Sequence, residues 1–494
     1  MKQEVLRMER VSCQEHGVTQ LDDFNLSIMS GEIIGLLPVN NHGLSTLLRL
    51  LQRNINLHYG YVYYREKQVN TWRDAKKRNN RIGLIQSESC LVEGLTVADN
   101  VFVLRPDFKT WLLRPRVFRE QLTPLLESIG ISISANAYVE ELSDFERVVV
   151  DVLKSVIAGC RLIVLREISA DICEAELEKI HSLLRHFAGQ GISFLYVDFH
   201  FEELQRICDK VALMSNGRII KLLQGESLTP ESLYAFTGAY IGKVKQQIRR
   251  PGPRSDRNGF TFHVKNLSCG MMKKLNFSVA SGECVVLQNV DVQGFGQLQS
   301  IISGETKPEE GEMLLDGKPV DLSMGGEIAF IQELPTKSML FYEMSYFDNL
   351  CFLLDKRLPE IWLGGAVHDG IRREYSEILG ADVFDMRIDA LSEVRKYQLV
   401  FARVAIQNPK VVFCMQPFRQ ADVELRMHIM EHMQMLLDKG AALVILTVNL
   451  ADSLSLADKL IRIHRDKPEE VYTRAEFSTM PINAPWIELY REQR

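Results

Sequence analysis

The chain has 494 residues, 46% of them hydrophobic and 25% charged, a composition typical of a soluble globular protein with two or more domains. Its formal net charge of −6 argues against a general nucleic-acid binder, because no basic excess is available to neutralise phosphates. Nine scattered cysteines without a C-x-x-C pair favour reduced thiols over disulfides or a zinc site. We find no signal peptide and no run approaching the roughly 18 apolar residues that span a bilayer.

Strands and helices alternate along the first half of the chain, which predicts an α/β fold with a mainly parallel, helix-covered sheet. The strands are predicted from apolar runs and the helices from apolar residues spaced three and four apart. The predicted elements are a β-rich start at 4–28, a strand at 32–37, a helix at 45–51, a strand at 81–86, a mainly helical insert at about 97–140, a helix at 143–158, a strand at 162–165, a helix at 175–188 and a strand at 193–197.

Short sequences recur at a nearly constant spacing, which indicates a duplication. Gly31-Glu32 recurs 251 residues later, and Leu142-Ser143 and the strand at 162–165 both recur 249 residues later. This predicts a tandem repeat of units of about 250 residues. We place one module at 1–242 and the other at 259–494. Between them, residues 243–258 are polar and basic with two prolines and a glycine, which predicts an exposed linker.

A loop after the first apolar strand has the frame of a phosphate-binding loop, G-x-x-x-x-G-K-S/T. Such loops hold phosphates through backbone N–H groups and a helix N-terminus, while a lysine reaches the outer phosphates. In the segment from Gly31, GEIIGLLPVNNHGLST, Gly43 matches the motif, as do Ser45 and Thr46. Leu44 stands in place of the lysine, and Pro38, which has no N–H, in place of the opening glycine.

Further segments give the chain a resemblance to the ATP-binding subunits of ABC transporters. It is most similar to the fused two-module subunits that serve bacterial uptake of ribose, xylose and galactosides. The resemblance implies two tandem P-loop NTPase-like modules, each a mainly parallel sheet with flanking helices, an antiparallel β region and a helical insert. It also implies a permease as partner. The segments are LVEGLTVADN at 91–100, ICDKVALMSNGR at 207–218, QNPKV at 407–411 and PFRQADV at 417–423.

The resemblance also implies where the catalytic groups of the first module stand, and most of them are replaced. Arg166 occupies the position of the carboxylate that holds Mg²⁺, so we expect this cation to repel the metal. Glu167 matches the catalytic glutamate, but we regard it as vestigial without the metal. The switch histidine falls on Phe199, the glutamine of the Q-loop on Ser87 and the adenine-stacking aromatic residue on Glu15. His200 and Gln86 each lie one place away from the expected position.

The second module departs further from the family pattern. The phosphate loop, the metal-binding strand and the switch position have all lost their polar groups or had them exchanged. The residues at these positions are Asn289, Phe295, Gly296, Met415, Gln416 and Leu450.

The family's signature segment, L-S-G-G-Q, is altered in both modules. Here the segments continue from Leu-Ser with Asp144-Phe145 and with Glu393-Val394. We expect the carboxylates to repel a phosphate facing them, and the bulky side chains to block its approach.

We therefore predict a pseudo-ATPase with no hydrolytic activity, no confident catalytic residue and no metal site, although the family hydrolyses ATP. ATP binding, if present, would be weak and would not require Mg²⁺. His42 is read as an exposed loop histidine, with a contribution to phosphate binding as the alternative. The candidates for phosphate contact are Asn40, Asn41, Gly43, Ser45, Thr46 and Arg166.

Three functions stay open at this point. The first is a non-hydrolysing subunit that docks a membrane permease, an active ATPase or a sensor, in the cytoplasm or at the inner face of the cell membrane through that partner. The second is a soluble nucleotide-responsive regulator. The third is a working ATPase of sugar import with displaced residues such as Gln86 and His200. We expect no nucleic acid as partner.

Overall fold

The computed structural model divides the chain into two compact units, unit 1 (Met1–Gly238) and unit 2 (Ala239–Arg494). The parts of the chain that the structure describes are residues 3–15, 17–53, 55–70, 80–86, 89–102, 115–250, 259–269, 272–289, 295–320, 327–352, 354, 365–380, 382–450, 452–464, 469–480 and 487–491.

Unit 1 contains a four-stranded antiparallel sheet of order β2-β1-β4-β5 and a six-stranded sheet of order β10-β9-β3-β8-β7-β6. Strands β9 to β6 of the second sheet are parallel, and β10 is antiparallel at its edge. The strands are β1 (Glu4–Glu15), β2 (Val18–Met29), β3 (Ile33–Pro38), β4 (Tyr59–Tyr64), β5 (Lys67–Gln68), β6 (Ile82–Gln86), β7 (Leu162–Arg166), β8 (Ser193–Val197), β9 (Lys210–Ser215) and β10 (Arg218–Gln224).

Helices cover both faces of the six-stranded sheet in unit 1, which explains why β3 and β8 are buried along their whole length. Two separate hydrophobic clusters lie against the two faces. The helices are α1 (Leu44–Gln52), α2 (Val97–Phe102), α3 (Pro115–Ser128), α4 (Asp144–Ile157), α5 (Glu174–Gly189), α6 (Phe201–Ile207) and α7 (Tyr234–Ile248), the last of which continues into unit 2.

Unit 2 repeats this topology. Its sheets have the orders β12-β11-β14-β15 and β16-β17-β18-β13-β19-β20, and the second is the larger sheet of unit 1 read from the opposite edge. The strands are β11 (Thr261–Cys269), β12 (Met272–Ala280), β13 (Cys284–Asn289), β14 (Glu310–Leu315), β15 (Lys318–Pro319), β16 (Ile328–Ile331), β17 (Val411–Met415), β18 (Ala442–Thr447), β19 (Lys459–Ile463) and β20 (Glu470–Thr473).

The helices of unit 2 mostly fall in the same places along the chain as those of unit 1. They are α8 (Phe295–Ile302), α9 (Pro335–Ser338), α10 (Tyr346–Cys351), α11 (Gly365–Leu379), α12 (Glu393–Gln407), α13 (Val423–Asp438), α14 (Ser453–Leu456) and α15 (Ile487–Arg491). Among the described helices, none combines the length and the apolar character needed to cross a membrane.

The fold class predicted from the sequence is confirmed. Each unit has a mainly parallel sheet, an antiparallel β region and a helical insert, and β8 has the bounds predicted for it. The predicted insert is helical at α2 and α3, and residues 103–114 within it lie outside the described residues.

The predicted linker at 243–258 differs from the structure in its first part. Residues 243–248 belong to α7, and Val244 and Ile248 are buried in the hydrophobic core of unit 2. Tyr240 of the same helix donates a hydrogen bond to the buried Asp452. The linker was predicted from the polar and basic composition of this segment. The apolar residues at positions 240, 244 and 248 are spaced four apart, which places them on one helix face. Residues 251–258 lie outside the described residues.

Candidate functional site

The loop that resembles a phosphate-binding loop has the predicted backbone setting in unit 1. β3 ends at Pro38 and α1 begins at Leu44, so Leu44 lies at the N-terminal end of a helix that follows a strand. In unit 2, Phe295 begins α8 after β13, as also predicted. The two positions that carry a lysine in the family are therefore matched correctly to the fold.

The side chains at these two positions belong to the hydrophobic cores. Leu44 is 1% exposed and lies in a cluster with Leu36 and Val164, while Phe295 is 3% exposed and clusters with Phe413. Neither side chain is directed into a polar cradle. The sequence carried a signal for this, because Leu44 begins an apolar stripe at helical spacing, which continues with Leu47, Leu48 and Leu51.

Gly43 is required by close packing as well as by its backbone conformation. Its φ is 80°, in the left-handed region that favours glycine. A Cβ atom added there would lie 2.1 Å from the carbonyl oxygen of Gln20 and 3.1 Å from the Cα atom of Gly217. The loop therefore packs directly against β2 and against the turn between β9 and β10, and any larger residue at position 43 would force them apart.

The other polar residues of the loop bond within unit 1. The Nδ2 atom of Asn40 donates to Oδ1 of Asn216 at 2.9 Å, and its own Oδ1 accepts from the Asn216 backbone N–H at 3.0 Å. The Asn41 carbonyl accepts from the Leu44 N–H at 3.2 Å. These contacts tie the proposed phosphate-contacting residues Asn40 and Asn41 to the turn after β9 and to the start of α1.

His42 corrects one reading made from the sequence, that of an exposed loop histidine. It is partly buried rather than exposed, and its Nε2 atom lies 2.7 Å from the carbonyl oxygen of Thr19 in β2. A carbonyl only accepts, so Nε2 carries the proton and donates it. The ring is thus oriented by the backbone of β2, which a sequence reading of an isolated loop does not reveal.

The two hydroxyls that match the motif have different environments. Ser45 is exposed at the start of α1, whereas Thr46 is 3% exposed. The Thr46 hydroxyl donates to Oε1 of Glu15 at 3.1 Å, and the same oxygen forms an ion pair with Arg49. Glu15 is the residue at the adenine-stacking position, and this contact with α1 was not predicted.

Arg166 ends β7 and Glu167 follows it. These are the positions where the resemblance implies the metal-binding carboxylate and the catalytic glutamate. The Nε atom of Arg166 lies 3.5 Å from Oε2 of Glu167, and the two side chains are 20% and 7% exposed. Arg166 thus places its guanidinium beside the Glu167 carboxylate.

The backbone of this strand end is alike in both units although the side chains differ. Glu167 has a φ of 51° and Gln416 a φ of 42°, both in the left-handed region. The N–H of Glu167 donates to the Val197 carbonyl at 2.9 Å, and that of Gln416 to the Leu446 carbonyl at 2.8 Å. Such conformations cost of order 1–3 kcal/mol for a non-glycine residue. Both units therefore have a strained residue directly after the end of this strand.

The side chain at the predicted switch position of unit 1 is buried. Phe199 is 4% exposed and packs in the same core as Leu44, and His200 contacts Asp198 instead. Oδ1 of Asp198 accepts from the His200 backbone N–H at 2.8 Å and lies 3.2 Å from its Nδ1, and Ser169 donates to Oδ2. Burial opposes ionisation of Asp198, but the contacts with His200 and Ser169 hold its pKa below the ordinary 3.8.

The bulky side chains of the two signature segments pack within their own units. Phe145 is 8% exposed in the core of unit 1, and Val394 packs against the core of unit 2. Each is the second residue of a helix, where the apolar face of that helix begins. Glu393 accepts from the Thr336 hydroxyl at 3.1 Å and pairs with Lys396 at 2.8 Å. The predicted steric block is therefore wrong for Phe145, and it stays a prediction for the partly buried Val394.

The structure also places three further positions that the sequence analysis named. Gln86 ends β6 opposite Arg166, and Leu450 and Asn289 are buried in unit 2. Ser87 lies outside the described residues. Within the ranges that the structure describes, no group of three or more His, Cys, Asp or Glu residues is placed to hold a metal ion.

Comparison with known proteins shows what this chain is similar to. Residues 21–170 match the family model described as ABC transporter. The chain is 24% identical over 488 residues to the ribose import ATP-binding protein RbsA 3 of Rubrobacter xylanophilus, with 97% of this chain and 98% of that protein covered. It is 23% identical over 466 residues to the RbsA protein of Geobacillus kaustophilus, covering 91% and 93%.

Over residues 21–170 the chain is thus similar to the ABC transporter family, and the predicted resemblance to ABC transporter ATP-binding subunits is confirmed. More particularly, it is related over nearly its whole length to the ATP-binding subunits of sugar-import systems. Among solved structures, cbiO1 of Clostridium perfringens, part of the ABC transporter complex cbiONQ, is 20% identical, with a TM-score of 0.41 and coverage of 49% of this chain and 94% of that one.

The burial of Leu44 generates a testable expectation. Leu44→Lys should destabilise unit 1 by at least about 2 kcal/mol, because it removes a buried leucine and brings an ammonium group into an apolar cluster. Urea unfolding followed by circular dichroism measures this. Leu44→Met, which conserves volume and polarity, is the matched control and should cost less than about 1.5 kcal/mol. A Leu44→Lys protein as stable as wild type, with a gain in ATP affinity, would show that the side chain faces a phosphate site after all.

Proposed function

We propose that this chain is a non-hydrolysing ABC-type subunit, related to the sugar-import subunits, that acts as a structural or regulatory partner of a membrane permease. The observation that carries the proposal is the burial of Leu44 and Phe295 at the two loop-lysine positions. A side chain that is part of a hydrophobic core cannot be exchanged for a phosphate-binding cation without cost to the fold. In this view both loops have changed from binding elements into packing elements.

The size of the expected catalytic losses supports the same conclusion. Loss of one preorganised electrostatic donor costs roughly 10²–10³ in rate, and loss of a general acid or base roughly 10²–10⁴. Here the lysine, the metal carboxylate and the switch histidine are replaced by Leu44, Arg166 and Phe199 in unit 1. Although such losses do not add simply, together they leave no measurable turnover.

The role as a partner is supported by a surface feature that both units share. Val92 in unit 1 is 45% exposed and Phe341 in unit 2 is 40% exposed. Each is held by a fully buried asparagine that both accepts from its N–H and donates to its carbonyl, Asn100 at 2.8 and 3.1 Å and Asn349 at 2.9 Å in both bonds. A rigid turn that presents an apolar side chain to solvent suits a protein partner.

In unit 2 this feature extends into an apolar patch. The ring of Phe341 lies 4.3 Å from that of Phe352, and Tyr342 and Met344 beside them are 37% and 38% exposed. We propose that this patch, Phe341, Tyr342, Met344 and Phe352, contacts a permease at the inner face of the cell membrane. An active ATPase or a sensor protein would be the alternative partner.

A nucleotide-responsive regulator is the second candidate, favoured by the exposed Ser45 at the start of α1 and by Arg166, which is 20% exposed. Against it stands the hydrogen bond from Thr46 to Glu15, which places a carboxylate where an anionic ligand would need the hydroxyl. We therefore propose that any ATP binding is weak.

The binding of ATP should not depend on magnesium. Arg166 brings positive charge to the strand end and offers Mg²⁺ no oxygen ligand, so adding the metal should change ATP affinity by less than about twofold. Isothermal titration calorimetry of the full chain with ATP, in EDTA and in excess Mg²⁺, measures the two affinities. An affinity that rises strongly with Mg²⁺ would mean that a metal site exists.

Hydrolysis should be absent. Steady-state phosphate release from ATP and Mg²⁺ by the wild-type chain is expected to equal that of a heat-inactivated sample, because the groups that polarise the γ-phosphate are replaced. Glu167→Gln should leave this background unchanged. The proposal fails if the wild type turns over ATP clearly and Glu167→Gln abolishes that turnover.

The partner role predicts membrane association through the apolar patch. A tagged chain expressed in its native cells should sediment with membrane vesicles, and Phe341→Asp should release most of it, because a charge at the centre of a docked apolar surface is costly. Val471→Asp is the matched control, since Val471 is 56% exposed elsewhere in unit 2. Equal sedimentation of wild type and Phe341→Asp, or equal release by both variants, would contradict docking at the patch.

A further inference from the structure

A carboxylate from another element lies against the N-terminal half of α1. Glu15 is the last residue of β1, and its side chain is 27% exposed. Its Oε1 atom accepts a hydrogen bond from the Thr46 hydroxyl at 3.1 Å and forms an ion pair with Arg49. Thr46 is the third residue of α1, and Arg49 follows one turn later. Three groups that are distant in sequence thus meet beside the start of this helix.

Helix α1 has no acidic residue of its own in its first turn, and among the described contacts its N-cap, Gly43, makes no side-chain hydrogen bond. A helix N-terminus carries a partial positive charge and is stabilised by an anion. In loops of this form the anion is usually a phosphate of the ligand. Here a carboxylate of the same chain bonds to the hydroxyl of Thr46, which is one of the residues that match the phosphate-loop motif.

We propose that Glu15 is an internal substitute for a polyphosphate ligand. In the ligand-free protein it accepts the hydrogen bond of the buried Thr46 hydroxyl and neutralises Arg49. It also repels free polyphosphate from this end of α1. The inference rests on the proposed function, because a loop used for turnover would have to release this contact in every cycle.

The hydroxyl and the cation that contact Glu15 in unit 1 are not repeated at the equivalent helix positions of unit 2. At the positions 251 residues after Thr46 and Arg49, unit 2 has Gln297 and Ser300, which supply neither the threonine hydroxyl nor a cation. α8 itself has no basic residue in its last turn and no acidic residue in its first. The internal carboxylate accompanies the loop that still carries Gly43, Ser45 and Thr46.

The contact between Glu15 and Arg49 is open to solvent. Arg49 is 51% exposed and Glu15 is 27% exposed, so solvent reaches the contact between them. Truncation of Glu15 would leave the Thr46 hydroxyl and the Arg49 guanidinium without the carboxylate oxygen that they share. These are the donors that bind phosphate in proteins.

The test uses the full chain and inorganic tripolyphosphate in magnesium-free buffer. Calorimetric titration and the shift of the unfolding temperature are measured for wild type, Glu15→Ala, Glu15→Gln and the double variant Glu15→Ala with Arg49→Ala. We expect Glu15→Ala to bind tripolyphosphate at least about tenfold more tightly than wild type. Glu15→Gln, which keeps an oxygen acceptor for Thr46, should gain less, and the double variant should lose the gain.

Asp22→Asn is the matched control. Asp22 forms a half-exposed ion pair with Arg218 in the same unit, so its replacement changes the net charge by the same amount away from α1. This variant should bind tripolyphosphate like the wild type. An equal gain in Asp22→Asn would overturn the proposal, because the effect would then come from net charge alone.

Each remaining outcome of the experiment either supports or overturns the proposal. Folded Glu15→Ala that binds tripolyphosphate no better than wild type overturns the proposal. If Glu15→Ala does not fold by itself, folding restored by tripolyphosphate supports it, and failure to restore folding overturns it. Turnover of ATP by the wild type would refute the proposed function instead. The two failures are distinguishable, because the tripolyphosphate result is a binding measurement and needs no turnover.

Discussion

The burial of the first helical residue after each loop that resembles a phosphate-binding loop is the constraint on which the rest of the structure depends. In a phosphate-binding loop this residue is a lysine whose charge must remain in contact with ligand and solvent. Leu44 and Phe295 instead contribute to cores formed by the sheets behind them. Burying such a side chain is worth roughly 1.5–3 kcal/mol, which is a substantial part of the marginal stability of a domain. The helix is thus positioned by packing, and it needs no ligand for its position.

Once packing positions the helix, the remaining polar groups around the loop are free to bond within the protein. Thr46 donates to Glu15, and Asp198 accepts from Ser169 and His200. Arg166 lies beside Glu167. Each of these contacts joins groups that, in a working site, would have to point at a nucleotide or a metal. In this structure these groups form internal hydrogen bonds and ion pairs.

The two units resemble each other more in their backbones than in their side chains. They share the order of their strands, the positions of most of their helices and the strained residue after the buried strand, which is Glu167 in one and Gln416 in the other. The buried asparagines that hold Val92 and Phe341 are shared as well. These features are what a partner protein would contact or depend on, so a role in docking is compatible with the loss of the groups for hydrolysis.

The sequence by itself determined the duplication, the α/β class and most element positions, because these follow from local patterns of apolar residues and from recurring segments. It also determined which chemical groups are missing, since Leu44 and Arg166 can be read directly from the motif. Only the tertiary structure decided where the replacements point. His42, Phe145 and Glu15 each bond or pack against elements distant in the chain, and so does the helix that replaces the start of the predicted linker. Local spacing of apolar residues indicated the buried faces of Leu44 and of the helix at 240–248, but it does not indicate the distant partners of His42 and Glu15.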